Sequence, residues 1–139
     1  MNKIKVVLNE GAYMPHRAHE WDAGYDLKTP VPVIVPKHGS ALINTGVHIG
    51  IPEGYAGLLV SKSGLNVEKN LTSTGLIDAG YTGSIRVKLY NSGDTDVHLA
   101  KGNKVSQIII IPVNTPELEI ANWLPDTERG DNGFGSTGV

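Results

Sequence analysis

The chain has 139 residues, a formal net charge of −2 at pH 7 and no cysteine. This length suits one ordinary domain with a hydrophobic core. The lack of cysteine excludes disulfides and thiolate metal sites, and the small net charge excludes a broad basic field for nucleic acid. The longest apolar run, Ile108 to Ile111, is far too short to cross a bilayer. We therefore expect a soluble protein of the cytoplasm, or of the host cytoplasm if a virus encodes it, with no direct nucleic-acid or membrane binding.

Short segments in which apolar and polar residues alternate predict most of the secondary structure. The alternation is unbroken from Ser84 to Asn91, which predicts a strand with one buried and one exposed face. Shorter alternations start at Ile4, Val47 and Val97. The segment Val31 to Val35 contains a proline, so it fits an edge strand or a bulge better than a central strand.

Two further segments complete the fold prediction. Ile108 to Ile111 is apolar throughout, which predicts burial on both faces in a sandwich core or a subunit interface. Helical periodicity is nearly absent, and the best candidate is one or two turns from Leu65 to Asn70 after a possible cap at Ser63. Many short strands between turns predict an all-β sandwich or barrel in a single domain, which we place at residues 1–125.

The C-terminal segment, residues 126–139, differs in composition from the rest of the chain. It is rich in glycine and has a single aromatic residue, Phe134. Composition favours a disordered, flexible tail that cannot bury enough apolar surface to order itself. The alternative is a lid that orders on a ligand, with Arg129, Ser136 and Thr137 as anion donors and Phe134 as a stacking face.

Several polar residues are candidates for chemistry. Asp26 and Asp78 are each enclosed by small and apolar residues, so each is either a turn-forming aspartate or a functional acid. Ser61 to Gly64 joins a lysine and hydroxyls to a glycine before a possible helix start, an arrangement that can hold phosphate. His16 and His19 suggest surface histidines rather than a zinc pair, because no clear third ligand follows.

Five blocks of the sequence, in order and with matching spacing, resemble the five motifs of the trimeric dUTP pyrophosphatase family. They are Ala23-Gly24-Tyr25-Asp26-Leu27, Ser61-Lys62-Ser63-Gly64, Gly75-Leu76-Ile77-Asp78-Ala79-Gly80-Tyr81-Thr82-Gly83, Gly102-Asn103-Lys104-Val105-Ser106-Gln107-Ile108 and Arg129-Gly130-Asp131-Asn132-Gly133-Phe134-Gly135-Ser136-Thr137-Gly138. The resemblance spans nearly the whole chain. It implies a jelly-roll-like β subunit with one short helix, which assembles as a homotrimer whose active sites are each built from three chains.

The resemblance also implies a reaction, the Mg²⁺-assisted hydrolysis of dUTP to dUMP and pyrophosphate. Asp78 is implied to be the general base that orients the attacking water, and Asp26 to hold Mg²⁺ through a water molecule. Arg129 is implied to act on the β- and γ-phosphates as charge builds on the leaving group.

The remaining residues implied by the resemblance bind the substrate. Uracil is expected in a hairpin from Leu71 to Tyr81, read by backbone groups near Gly75 and Ile77, with Thr72 nearby. Tyr81 is expected to pack under the sugar and exclude a ribose 2'-hydroxyl. The expected phosphate contacts are Lys62, Ser63, Gly64 and Gln107, and the expected tail contacts are Phe134, Gly135, Ser136 and Thr137.

This chain departs from the family pattern at several positions. Lys62 replaces an arginine, which keeps the charge but loses the bidentate fork. Asn103 and Lys104 replace an aspartate and an arginine, which predicts weaker contacts in place of an ion pair. Ser84 replaces a glutamate, and Thr72 replaces an asparagine.

Three alternatives to the pyrophosphatase remain at this stage. The same fold could deaminate dCTP, although the tail block and Asp78 favour the pyrophosphatase. A non-enzymatic protein could bind dUTP and order its tail to display a surface to a partner. A capsid-like β module would explain the strands but not the five blocks.

Overall fold

The computed structural model describes residues 3–133, which form eleven β-strands and one short helix. In chain order these are β1 (Val6–Leu8), β2 (Tyr25–Lys28), β3 (Val33–Val35), β4 (Ser40–Asn44), β5 (Val47–Ile49), β6 (Tyr55–Val60), α1 (Ser63–Lys69), β7 (Leu71–Thr72), β8 (Thr74–Ile77), β9 (Arg86–Asn91), β10 (Val97–Leu99) and β11 (Lys104–Pro112). The predicted all-β, jelly-roll-like class with one short helix is confirmed.

The strands form four antiparallel sheets. The largest has the order β2-β11-β6-β8, and a second has the order β4-β9-β7. Two pairs, β1 with β5 and β3 with β10, complete the set. The pairing of β3 with β10 confirms the edge position that the proline in this segment predicted.

Strand β9 shows the alternation that its sequence predicted. Val87 and Leu89 are buried, whereas Arg86, Lys88 and Tyr90 on the opposite face are exposed. Because successive side chains of a strand point to opposite faces, β9 gives one face to the core and the other to solvent.

The hydrophobic core lies between the sheets and receives side chains from nearly every strand. The buried members are Leu27, Val35, Ile43, Val47, Ile49, Ile51, Leu59, Leu71, Ile85, Val87, Leu89, Leu99, Val105 and Ile108. Since both larger sheets contribute to one cluster, their relative placement is set by this shared apolar burial.

Two expectations need correction. Burial on both faces was expected from Ile108 to Ile111, in a sandwich core or a subunit interface. Within one chain only Ile108 is fully buried and Ile109 to Ile111 are half-buried, so the core alternative is wrong for these three residues and the interface alternative stays a prediction. The helix begins at Ser63, so Lys62 is the residue at the cap position, and its side chain makes no capping hydrogen bond. Asn70 ends the helix in the left-handed conformation (φ 57°), which asparagine tolerates better than most residues.

The strands end before the C-terminal segment. After Pro112, residues 114–133 contain no strand or helix, and all of them are exposed. Leu118, Ile120, Trp123 and Leu124 are 74–99% exposed. These four large apolar side chains are therefore not covered by the rest of the described chain. The division at residue 125 stays a prediction.

Within residues 3–133, no helix is long and apolar enough to cross a membrane.

Two valine substitutions test the assignment of the core. Val87→Ala removes two buried methyl groups from β9 and is expected to lower the free energy of unfolding by about 2 kcal/mol. Val67→Ala makes the same change on α1, where the side chain is 80% exposed, and is expected to cost less than about 0.5 kcal/mol. Urea unfolding of both variants at equal protein concentration measures the difference. Equal costs would contradict the core assignment.

Candidate active site

The register of the largest sheet brings three of the five sequence blocks together. Asp26 on β2 lies opposite Gln107 on β11, and Gln107 lies opposite Val60 on β6. Directly opposite residues share a face of the sheet. Lys62 lies two residues after Val60, so its side chain is on the same face of the sheet as that of Val60. The first, second and fourth blocks therefore meet at one end of β6.

Asp26 forms the electrostatic centre of this cluster. The residue is 6% exposed, and its two carboxylate oxygens lie 2.6 Å from Lys62 Nζ and 3.2 Å from Lys104 Nζ. A bulge between Lys104 and Ser106 shifts the register of β11 against β2. Bulges re-aim side chains next to functional sites, and this one lies immediately beside Lys104.

The two lysines also set the ionisation of Asp26. Burial acts to raise the pKa of Asp26, but hydrogen bonds from Lys62 and Lys104 and their positive charges outweigh it. The pKa of Asp26 therefore lies below its ordinary value, and the carboxylate is ionised at neutral pH.

Gln107 is held at the edge of the same cluster. Its Nε2 donates a hydrogen bond to the carbonyl oxygen of Ser61 at 3.1 Å. A Cβ added at Gly24 would collide with the Gln107 side-chain amide, so a larger residue there would require this amide to shift from its place beside Ser61.

A chain of serine hydroxyls supports the cluster, and its middle member, Ser73, lies outside the five sequence blocks. Ser106 Oγ donates to the carbonyl oxygen of Val60 at 3.0 Å and lies 2.8 Å from Ser73 Oγ. Because the single proton of Ser106 is used on Val60, Ser73 must donate to Ser106. Ser73 N also donates to Ser61 Oγ at 2.9 Å. These bonds tie β11 and the start of β8 to the end of β6.

Two of the residues expected to bind phosphate, Lys62 and Gly64, border an open cleft of about 550 Å³. Lys62 and Gly64 line it from the second block, and Gly102, Asn103 and Lys104 line it from the fourth. Ser63 and Gly64 are exposed at the start of α1. The cleft is therefore open to solvent and bordered by the cationic side chains of Lys62 and Lys104, which an anion site requires.

The third block forms a separate loop at the other end of β8. Asp78 and Tyr81 are exposed, and Tyr81 N donates to Asp78 O at 3.2 Å in a tight turn. Gly75 and Ile77 lie on β8, paired with Leu59 and Gly57 of β6.

The hairpin expected from Leu71 to Tyr81 is not formed by pairing within that segment. Strand β7, which contains Thr72, pairs with β9, whereas β8 pairs with β6. Leu71 is buried and draws β7 into the second sheet. Alternation alone could not assign two adjacent strands to different sheets.

Strand geometry separates Asp78 from the lysine cluster within one chain. Thr74 lies opposite Val60, and Ile77 lies opposite Gly57, so β8 runs away from Lys62. Asp78 therefore lies beside the residue that comes six positions before Lys62 in the chain. At ~3.3 Å per residue, this separates Asp78 from Lys62 by about 20 Å along the strand direction. A single chain does not bring these two groups together.

The departures from the family pattern take part in defined contacts. Lys62 and Lys104 both pair with Asp26, so an ion pair is present where weaker contacts were expected. Asn103 Oδ1 accepts a hydrogen bond from Ala100 N at 2.7 Å and stabilises the turn before β11. Ser84 Oγ donates to Asn44 Oδ1.

Arg129 lies far along the exposed C-terminal segment. Its Nε donates to Asn132 O at 2.7 Å and one terminal nitrogen donates to Gly133 O at 3.2 Å. The Arg129 guanidinium is therefore hydrogen-bonded to two carbonyl groups of the same C-terminal segment. The expected contacts Phe134, Gly135, Ser136 and Thr137 lie outside the described residues.

The described residues fit a Mg²⁺ ion that is bound through water, but not one that is bound directly by several side chains. In the described part of the chain, no three His, Asp or Glu side chains lie close enough to hold a metal, and His16 and His19 are exposed. Asp26 is a single carboxylate already paired with two ammonium groups. This set fits an ion that arrives on phosphate oxygens and is reached through water, since Mg²⁺ retains several of its waters.

Asp26→Asn tests the electrostatic role of the cluster. The substitution removes the charge that pairs with both lysines and is expected to lower the free energy of unfolding at pH 7 by about 1–3 kcal/mol. The stabilising effect of ionised Asp26 is full above the unfolded pKa of about 3.9 and is lost as pH falls through the lower folded pKa. The difference in stability between the two proteins should therefore shrink as pH falls below about 4 and vanish only below the folded pKa of Asp26, as measured by urea unfolding.

The control for this prediction is Asp94→Asn, because Asp94 is 93% exposed beside His38. It should change stability little at any pH. A pH-independent difference between the wild-type protein and Asp26→Asn would contradict the ion-pair account.

Comparison with known proteins identifies the family of the chain. The family model for dUTPase matches residues 10–138. The chain is 41% identical to deoxyuridine 5'-triphosphate nucleotidohydrolase of Oryza sativa subsp. japonica, covering 99% of this chain and 80% of that protein. It is also 41% identical to the probable enzyme of Invertebrate iridescent virus 6, covering 96% of this chain but only 46% of that relative.

Solved structures are similar over the same range. The dUTPase of Staphylococcus bacteriophage 80alpha with dUPNHPP has a TM-score of 0.94 and 34% identity, with 100% of both chains covered. A mutant dUTPase from phage phi11 of S. aureus, described with a structural Mg(II) ion, has a TM-score of 0.82 and 33% identity, covering 88% of this chain and 98% of that one. The chain therefore belongs to the dUTPase family, the deoxyuridine 5'-triphosphate nucleotidohydrolases.

Proposed function

We propose that this dUTPase hydrolyses dUTP to dUMP and pyrophosphate at sites shared between chains, with Asp78 as general base. The observation that carries the proposal is the separation of Asp78 from the Asp26, Lys62 and Lys104 cluster along β6 and β8. Each chain holds a phosphate-facing half-site and a water-activating half-site. The reaction would limit uracil in DNA and supply dUMP for dTMP synthesis.

Asp78 acts on the attacking water. The carboxylate is exposed at the end of β8, so it can reach a substrate held by a neighbouring chain. An ordinary carboxylate is a weak base for water, and its contribution comes mainly from orienting the water toward the α-phosphorus. The same carboxylate contacts the sugar 3'-hydroxyl.

The lysine cluster receives the triphosphate. Lys62 and Lys104 supply positive charge at the cleft, and the exposed Ser63 and Gly64 at the start of α1 offer hydrogen bonds to phosphate oxygens. Gln107, held by Ser61, adds an amide at the same edge. Charge on the departing pyrophosphate is stabilised where these donors converge.

Mg²⁺ is proposed as the cofactor. When bound with the triphosphate, it neutralises phosphate charge and aligns the leaving group. Asp26 would hold it through a water molecule, which its two paired oxygens still permit because each carboxylate oxygen has a second lone pair.

A homotrimer follows from the shared site and from the apolar surface. Leu118, Ile120, Trp123 and Leu124 are too exposed for a protein that stays a monomer, and Ile109 to Ile111 are only half-buried. Burial of these side chains between copies stabilises the assembly. Closed cyclic symmetry then repeats the same contact three times.

The nucleoside and tail contacts complete the proposal. Gly75 and Ile77 read the polar edge of uracil, Thr72 lies nearby, and Tyr81 excludes a ribose 2'-hydroxyl. Phe134 stacks on uracil, while Gly135 lets the backbone approach the substrate. Arg129, Ser136 and Thr137 bind the β- and γ-phosphates. We place the enzyme in the cytoplasm, or in the host cytoplasm if a virus encodes it.

Asp78→Asn tests the assignment of the base. The variant is expected to release pyrophosphate from dUTP with Mg²⁺ at least about 10²-fold more slowly than the wild-type protein, because the amide cannot accept the water proton. Its affinity for dUTP should change little. Pyrophosphate release gives the rate, and calorimetric titration of the variant with dUTP gives the affinity.

The controls separate failure of the base from failure of the function. Asp94→Asn, which changes an exposed aspartate outside the site, should keep the full rate. Wild-type protein should act on dUTP but not on dTTP, dCTP or UTP, and should stop when the metal is chelated. Full activity of Asp78→Asn would disprove the base, whereas ammonia release from dCTP or binding without turnover would disprove the reaction.

A further inference from the structure

The turn between β4 and β5 holds the loop that carries Asp78 and Tyr81, although it belongs to none of the five sequence blocks. Residues 44–48 form this turn, which we call the bracing turn, and residues 78–85 form the loop between β8 and β9. Gly46 has a φ of +70°, which lets the bracing turn reverse sharply.

Backbone bonds fix the base of the loop to the bracing turn. Ile85 N donates to Val47 O at 2.8 Å, and Thr45 N donates to Ile85 O at 3.1 Å. Thr45 Oγ1 also donates to Ile85 O at 2.6 Å. Ile85 and Thr45 are almost completely buried, so these bonds are shielded from water.

Two side chains of the bracing turn reach further along the loop. His48 Nδ1 lies 2.7 Å from the carbonyl oxygen of Thr82, and His48 Nε2 lies 3.0 Å from Asn9 Oδ1. Since a carbonyl only accepts, Nδ1 must be the donor. Asn44 Oδ1 accepts from Ser84 Oγ and from Gly46 N.

The same contacts determine where Tyr81 lies. Its hydroxyl donates to the carbonyl oxygen of Ser84 at 2.9 Å. A Cβ added at Gly83 would be 2.5 Å from the Tyr81 hydroxyl oxygen, so the ring passes directly over this glycine. Tyr81 is therefore hydrogen-bonded to Ser84, which also bonds to Asn44. It directly precedes Thr82, which bonds to His48.

We propose that His48 and Asn44 are positioning residues, which fix the loop so that Tyr81 and Asp78 meet the nucleoside in one geometry. The inference rests on the proposed function for the roles of Tyr81 and Asp78. Neither positioning residue touches the reacting atoms. A loop freed at Thr82 and Ser84 would let Tyr81 move, and displacement of a reacting group by about 1 Å can cost about 10²-fold in rate.

His48→Leu tests the proposal with a matched control on another strand. Leucine keeps the bulk of the side chain but removes the donor to Thr82. His98→Leu makes the same change in the similar sequence Val97-His98-Leu99 on β10, which pairs with β3 and not with the loop. His48→Asn restores a donor, because the asparagine amide nitrogen takes the branch position of Nδ1.

Two readouts are measured on the full-length protein. His48→Leu is expected to lower kcat/KM for dUTP by about tenfold or more and to reduce the preference for dUTP over UTP. Hydrogen exchange should be faster at the backbone amides of residues 81–84. His48→Asn should recover most of both properties, and His98→Leu should match the wild-type protein.

The outcomes distinguish this proposal from the proposed function. If the wild-type protein does not hydrolyse dUTP, the proposed function fails, and hydrogen exchange alone still decides whether His48 fixes the loop. Unchanged exchange in His48→Leu, or equal changes in His98→Leu, would overturn the proposal. An unaltered kcat/KM together with faster exchange would also overturn the proposal, because His48 would then hold the loop without affecting the reaction.

Discussion

The antiparallel pairing of β6 with both β11 and β8 is the constraint on which the site depends. Pairing with β11 places Asp26, Gln107 and Lys62 on one face at one end of β6. Because β8 runs antiparallel to β6, it leads away from that end, and Asp78 lies about 20 Å from Lys62 along the strand direction. The same strand therefore builds both half-sites and keeps them apart, which is why we propose that a partner chain completes the site.

The electrostatics of the phosphate-facing half-site follow from local charge rather than from the charge of the whole protein. A net charge of −2 does not attract a nucleotide triphosphate. Lys62 and Lys104 supply the local charge, and buried Asp26 holds both ammonium groups in place before substrate arrives. Asp26 is thereby an orienting group for the lysines as well as the proposed outer ligand of Mg²⁺. Both roles require the ionised form that its lowered pKa maintains.

The sequence predicted the fold class and the blocks of the site, but not their spatial arrangement. Alternation identified β9, and the order of motifs identified Asp26, Lys62 and Asp78. The division of residues 71–77 between two sheets depends on the burial of Leu71, a tertiary contact that periodicity does not encode. Ser73, Asn44 and His48 lie outside the five blocks, and their contacts are hydrogen bonds over 33 to 40 positions of the chain, which local sequence patterns do not encode.

The most direct test of shared sites is to mix two impaired variants. Asp78→Asn damages one half-site and Lys62→Met the other. When equal amounts are refolded together into random trimers, about one quarter of shared sites should receive an intact Asp78 from one chain and an intact Lys62 from another. The account predicts that pyrophosphate release from dUTP rises to about that fraction of the wild-type rate. A mixture no more active than the separate variants would contradict it, because each site would then lie within one chain.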